Sequence, residues 1–206
     1  MPGRFFLDKT TDVLADLLSA RPDADVMPTP RRNIAPGQQI AVLTPDRQLT
    51  LMRWGIIPVG RKNARGRPVM ETLINVRGET VFEKSAVRGL GRAIVPASGW
   101  YEWTGKTGRK TAWRITPRAG GVLLFAAVFD VWTAPGGKAI PQVATVTCPP
   151  SADVREIHDR MGVILSPDRA ASWLEGAEAE ARDLIRPAPT GTLNVAEAIG
   201  VDWAGP

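Results

Sequence analysis

A single cysteine, Cys148, and a single histidine, His158, stand in a chain of 206 residues. One thiol excludes an intramolecular disulfide framework and any cysteine-rich zinc site. One imidazole leaves too few ligands for an all-protein catalytic zinc centre, so neither metal nor cofactor is expected. Long apolar runs are missing as well. The longest, Gly121 to Phe129, falls far short of the ~20 residues that cross a bilayer. The start carries Arg4 and then an acidic, threonine-bearing stretch instead of an apolar signal segment. Internal repeats and low-complexity linkers are absent, so residues 1–206 read as one domain. Together these absences predict a cytoplasmic monomer in a reducing setting, with no membrane partner.

What is present is ordinary globular composition with a basic tilt, +5 in formal charge and a pI near 9.9. Basic residues gather at Arg31-Arg32, Arg61 to Arg67, Arg88 to Arg92 and Lys106 to Lys110, with Trp54, Trp100, Trp103 and Trp113 between them. That interleaving suits phosphate contact with base stacking, as on single-stranded nucleic acid. It equally suits solvated loops around core tryptophans.

Thr10-Thr11-Asp12 opens an amphipathic helix with Val13, Leu14, Leu17 and Leu18 on one face, stopped at Arg21-Pro22. A proline-rich coil comes next and closes on the turn Asn33-Ile34-Ala35-Pro36-Gly37. Gln39 to Leu43 and Gln48 to Trp54 form a hairpin around Pro45-Asp46, and Pro58 to Pro68 is a basic loop. Further strands are predicted at 73–76, 92–96, 100–103, 111–116, 122–132, 142–147 and 162–165, with short helices at 151–157, 167–174 and 177–185. The fold class is therefore α+β, an antiparallel barrel-like sheet with short peripheral helices.

Three segments carry polar groups suited to chemistry. Glu102 points away from Tyr101 and Trp103 in a strand pattern; it is a solvent residue if those rings face the core, or a buried acid fit for proton transfer if they rim a pocket. Asn75, between Ile74 and Val76, is either a turn cap or a polar group aimed at a site. His158 is either a structural imidazole or a proton carrier, and Asp159 and Arg160 beside it can pair locally.

In order along the chain stand Met1-x-Gly3-Arg4-Phe5, Asn33-Ile34-Ala35-Pro36-Gly37, Trp54-Gly55-Ile56-Ile57-Pro58, Ile74-Asn75-Val76-Arg77-Gly78-Glu79-Thr80, Pro96-Ala97-Ser98-Gly99-Trp100-Tyr101-Glu102-Trp103 and Ile157-His158-Asp159-Arg160-Met161. This series, from residue 1 to about 166, resembles the SOS response-associated peptidase (SRAP) family of abasic-site processing proteins. The resemblance implies a partner, single-stranded DNA carrying an abasic site. It also implies a chemistry: after loss of the initiator Met, an N-terminal cysteine closes a thiazolidine on the ring-opened sugar aldehyde. On this chain it assigns Asn75 to orienting the terminal amine, Glu102 to moving protons, and His158 to assisting transfer and reversal. Arg4, Asn33, Arg77 and Arg160 are implied on the DNA side, the arginines holding phosphates.

Residue 2 departs from that pattern, because it is Pro2 and not cysteine. A thiazolidine cannot form there. Once Met1 is removed, however, the secondary amine of proline can add to an aldehyde and lose water to give an iminium, an electron sink that permits β-elimination of the 3′ phosphate. DNA glycosylase–lyases of the formamidopyrimidine class use an N-terminal proline in this way, a likeness of chemistry and not of fold. Three alternatives stay open: a relative that binds single-stranded DNA without covalent chemistry, a sulfur supplied by Cys148, and a peptidase in which Glu102 and His158 activate water to remove Met1. Gly162 and Ser98 stand where the family commonly shows proline and often aspartate. The loop from Val59 to Arg67 carries Arg61, Lys62, Arg65 and Arg67 in place of the aromatic wedge of some members. Charge in place of stacking predicts a steeper fall of DNA affinity with salt than in an aromatic-wedge relative, measured by parallel titrations; equal slopes would contradict it.

Overall fold

The structure, a computed structural model, describes residues 2–23, 30–58, 65 and 72–205. The basic loop's Arg61, Lys62 and Arg67 lie outside the described residues. In chain order the strands are β1 (Arg4–Leu7), β2 (Arg21–Pro22), β3 (Arg31–Ile34), β4 (Gln39–Leu43), β5 (Gln48–Trp54), β6 (Asn75–Arg77) and β7 (Gly91–Ala97). They continue as β8 (Gly99–Lys106), β9 (Arg109–Pro117), β10 (Leu123–Thr133), β11 (Ala139–Cys148), β12 (Met161–Gly162), β13 (Ile164–Leu165) and β14 (Leu193–Glu197). Three short helices, α1 (Thr11–Leu18), α2 (Ala170–Glu175) and α3 (Glu178–Asp183), lie outside the sheets. The expected barrel-like α+β class is what forms.

One sheet runs β14-β9-β8-β1-β3 and the other β12-β11-β10-β7-β4-β5-β2. Pairing is antiparallel in the main, but β11 pairs in parallel with β5 and β6, as does β2 with β5. β1 lies on β8 with Phe5 opposite Trp100 and Arg4 opposite Tyr101. All three of Phe5, Phe6 and Leu7 are buried, so the alternation that would announce a strand is absent. Phe5 enters the shared core, stacked on Trp54 at 4.3 Å and 5.2 Å from Phe125, whose ring meets Trp100 edge-on. Phe6 faces the other way, against Tyr101 and under the Arg114 guanidinium.

Several sequence expectations shift by a residue or two, and some fail. The hairpin β4–β5 has the expected bounds. Helix α1 ends earlier, where Ser19 adopts a left-handed conformation, and Arg21-Pro22 pairs as a strand. Leu14 and Leu18 form its buried stripe, while Val13 and Leu17 face solvent. The expected helix at 151–157 is instead a pair of turns closed by Val154 N–H to Ser151 O and His158 N–H to Val154 O. Met161 Sδ accepts the Ser151 N–H at 3.2 Å, and the Ser151 hydroxyl caps nothing. The run expected at 162–165 divides into β12 and β13, with Val163 between them donating to Val146 O and accepting from Ala126 N–H.

Glycine at 162 has a steric cause. A Cβ built there would lie 2.5 Å from the buried ring of Phe125. We expect Gly162→Ala to lower stability by about 1–3 kcal/mol, because a packed ring must shift. Thermal unfolding checks this, and Phe125→Leu should recover part of the loss in the double variant.

Candidate functional site

Asn75 opens β6, which pairs in parallel with β11 so that Asn75 lies opposite Thr145. Its backbone is held from two sides, since Ile74 O accepts both the Trp54 indole N–H at 2.9 Å and the Thr145 amide at 3.2 Å. The side chain is held too. Thr145 Oγ1 donates to Asn75 Oδ1, which fixes the amide so that Nδ2 donates to Pro2 O at 2.8 Å. Residue 2, itself buried, is thus clamped by a side chain 73 positions along the chain.

Glu102 shares a face of β8 with Trp100, turned inward, and is 6% exposed. Of the two sequence alternatives for this residue, burial matches the second: Tyr101 and Trp103 lie on the opposite face of β8 and pack against Trp203. Burial pushes the Glu102 carboxyl up to about 7. The positive charge of the chain's amino terminus and the Trp100 side chain oppose that rise, and the Asp159 carboxylate adds to it. A carboxyl poised near neutrality both gives and takes protons readily.

His158 is half-buried, and burial holds its pKa below the usual histidine value; the amino-terminal charge lowers it further, while Asp159 raises it. The Arg160 backbone N–H donates to His158 Nδ1 at 3.0 Å, which places the proton of the neutral ring on Nε2. Asp159 Oδ1 stands 2.8 Å from the same Nδ1 and becomes its partner when the ring is protonated. Two contacts at one nitrogen thus serve the two protonation states.

The basic residues differ in availability. Arg77 is exposed. Arg160 forks onto both carboxylate oxygens of Glu79 and also donates to Thr147 O at 2.8 Å; Glu79 is correspondingly held below the usual carboxylate range. A phosphate approaching Arg160 must share it with Glu79. Arg4 donates from Nη1 to Asn33 Oδ1 at 2.8 Å, and the Asn33 amide donates in turn to Asp202 O and Gly205 O. Asn33 is buried and links Arg4 to the C-terminal segment through both ends of its amide. Of the interleaved tryptophans, Trp54 and Trp100 belong to the core, while Trp103 reaches the surface. Trp203, partly exposed against Trp103, is the residue that sequence reasoning passed over; a tryptophan in a short glycine- and proline-bearing tail was the available signal. Cys148 is fully buried and its thiol is pushed up to about 12, so it is not a ready nucleophile. Among the described residues, no group of three or more His, Cys, Asp or Glu side chains is placed to hold a metal ion.

The family model for the SOS response associated peptidase (SRAP) matches residues 1–200. The chain belongs to the SRAP family. Its relatives include the abasic site processing protein YoaM of Bacillus subtilis, 32% identical over 184 residues that cover 84% of this chain and 79% of that one. The abasic site processing protein YedK of Escherichia coli is 31% identical over the same shares, and HMCES of Gallus gallus is 33% identical over 69% of this chain and 51% of its own. A crystal structure of a Bacteroides thetaiotaomicron protein superposes with a TM-score of 0.84 at 19% identity, covering 96% of this chain and 92% of that one. One from Bordetella bronchiseptica gives 0.79 at 25% identity, covering 95% and 99%. In this SRAP chain the amide expected at residue 75 holds the carbonyl of Pro2, while the acid at 102 is buried on the strand that pairs with β1 and the imidazole at 158 is half-buried.

Holding Glu102 buried has a measurable consequence. Its folded pKa of about 7 lies above the ordinary 4.5, so the native state keeps a proton that the unfolded chain releases between those values. Stability therefore falls as pH rises through that window. Glu102→Gln removes the loss: at pH 8 the variant should be about 1–3 kcal/mol more stable than the parent, with no such gain at pH 4. Chemical denaturation at the two pH values measures both differences.

Proposed function

We propose that this SRAP protein recognises abasic sites in single-stranded DNA and reacts with them through the amine of Pro2 once Met1 is removed. The observation that carries the reading is the Asn75 clamp on Pro2 O, just ahead of a strand that pairs with β8, which carries a buried carboxyl poised near neutrality. The names of its relatives point to the same lesion.

In this reading Glu102 protonates the ring oxygen and takes up the proton of the anomeric hydroxyl, so the sugar hemiacetal opens to the aldehyde and the carboxyl is left protonated. The lone pair of the proline nitrogen attacks the aldehyde carbon, and the nitrogen's proton passes to the resulting alkoxide to give a neutral carbinolamine. Protonation of that hydroxyl by Glu102 expels water and leaves a C=N⁺ iminium. Without sulfur to close a ring, water can add back and release the DNA. Alternatively, His158 or Glu102 takes a C2′ proton, and the electron pair moves to expel the 3′ phosphate. Asn75 orients residue 2 through its carbonyl, and Arg4, Arg77 and Arg160 balance phosphate charge. The second reading, a non-covalent DNA-binding relative, is favoured by the missing thiol: Pro2 replaces cysteine, and Cys148 is too deep to substitute.

Borohydride reduction tests the covalent step by adding hydride to the iminium carbon. An abasic single strand should give a trapped adduct, and an undamaged strand none. Acetylating or extending the N-terminus should abolish trapping, a better control than Pro2→Ala, which keeps a primary amine. The rate should rise with pH as the amine loses its proton and fall above about 7 as Glu102 loses its own. Glu102→Gln should slow trapping by about 10²–10⁴ and remove the alkaline decline. Undiminished DNA affinity with no adduct at any pH would select the binding-only reading.

A further inference from the structure

The C-terminal segment crosses the outer face of β8 and brings an indole to the start of the chain. Trp203 lies 5.2 Å from Trp103, with the rings inclined at 59°, and meets Tyr101 edge-on at 4.9 Å. An angle of 59° makes a wedge and not a sandwich, so the pair does not bury both of its inner faces. Trp203 is 37% exposed and Trp103 is only part-buried.

The wedge borders a cleft of about 360 Å³ lined by Gly3, Arg4, Trp103, Lys110 and Trp203. Two of the five are cations, two are indoles, and the fifth adjoins Pro2. Apolar rings beside positive charge suit a ligand that is flat on one side and anionic on the other. A nucleotide of a single strand has that chemistry, with its base on an indole and its phosphate on Arg4 or Lys110. The segment is also built into the site, because Asn33 joins Arg4 to Asp202 O and Gly205 O through the two ends of one amide. Whatever moves the segment moves Arg4 with it.

Resting on the DNA reading above, we propose that Trp103 and Trp203 form a stacking subsite for one nucleobase beside the reacting residue, with Lys110 and Arg4 on its phosphate. Arg160, tied to Glu79, contributes no such aromatic surface. The subsite accounts for an exposed indole in a segment that adds little to the core.

The test is an anisotropy titration of single strands that carry a stable tetrahydrofuran abasic analogue at a fixed position and a propyl spacer replacing one flanking base at a time. In the parent protein, one spacer position should weaken binding about tenfold. Trp203→Ala should weaken binding of the fully based strand by a similar factor and show no further loss at that spacer position. Trp203→Tyr should retain most of the affinity, and unchanged thermal unfolding of both variants excludes a folding defect. Equal or tighter binding by Trp203→Ala, or a spacer profile identical to the parent's, would overturn the subsite and leave the DNA reading standing. A parent protein that binds none of the strands would overturn both.

Discussion

One hydrogen bond, from Asn75 Nδ2 to Pro2 O, holds residue 2 in place. The first strand alone does not do so, because β1 starts at Arg4 and its ladder on β8 fixes only Arg4 and the residues after it. Behind Asn75 stands a hierarchy of supports. Thr145 holds its oxygen, the Trp54 indole holds the preceding carbonyl, and the parallel pairing of β6 on β11 sets the register of both. Trp54 is in turn wedged against Phe5 of β1. The core that stabilises the fold therefore also aims the amide. A polar group held by buried neighbours keeps its geometry before any ligand arrives, which is what preorganised chemistry requires.

Glu102 shows the opposite arrangement. Burial next to Trp100 raises its pKa and costs stability at neutral pH, a cost that packing alone would not retain. The same burial makes the carboxyl useful to a reaction that needs protons given and taken in turn. The arginines divide along a similar line: Arg160 is neutralised by Glu79 and rigid, Arg4 is steered by Asn33, and Arg77 is open to solvent. A phosphate would thus meet one free charge and two positioned ones.

Much of this was legible in the sequence, for identifiable reasons. The β4–β5 hairpin has two apolar runs around the turn Pro45-Asp46, and β10 and β11 are long apolar stretches with β-branched residues in both and aromatic ones in β10, so strand composition and turn signals found them. β1 was hidden because Phe5, Phe6 and Leu7 are buried on both faces, and β3 because it lies in a proline-rich stretch. The turns at 151–157 mimic a capped helix in sequence, yet a thioether and not a serine oxygen takes the leading amide. At the site, residue types and their order singled out Asn75, Glu102 and His158 as candidates. The clamp on Pro2 depends on a pairing between distant strands, and the wedge with Trp203 on a tail without apolar periodicity; neither leaves a local pattern.

A proline at residue 2 makes the covalent reading sharply testable, because the buried Cys148 offers no ready route to a thiol adduct. If the clamp exists to present residue 2, the reactive nitrogen must be that of proline and not of a lysine elsewhere on a basic surface. Peptide mapping by tandem mass spectrometry after borohydride trapping on an abasic single strand addresses this directly. The predicted result is a processed N-terminus with the reduced sugar on the Pro2 nitrogen alone. An adduct on a lysine such as Lys110, or a retained Met1 with no adduct at all, would contradict it.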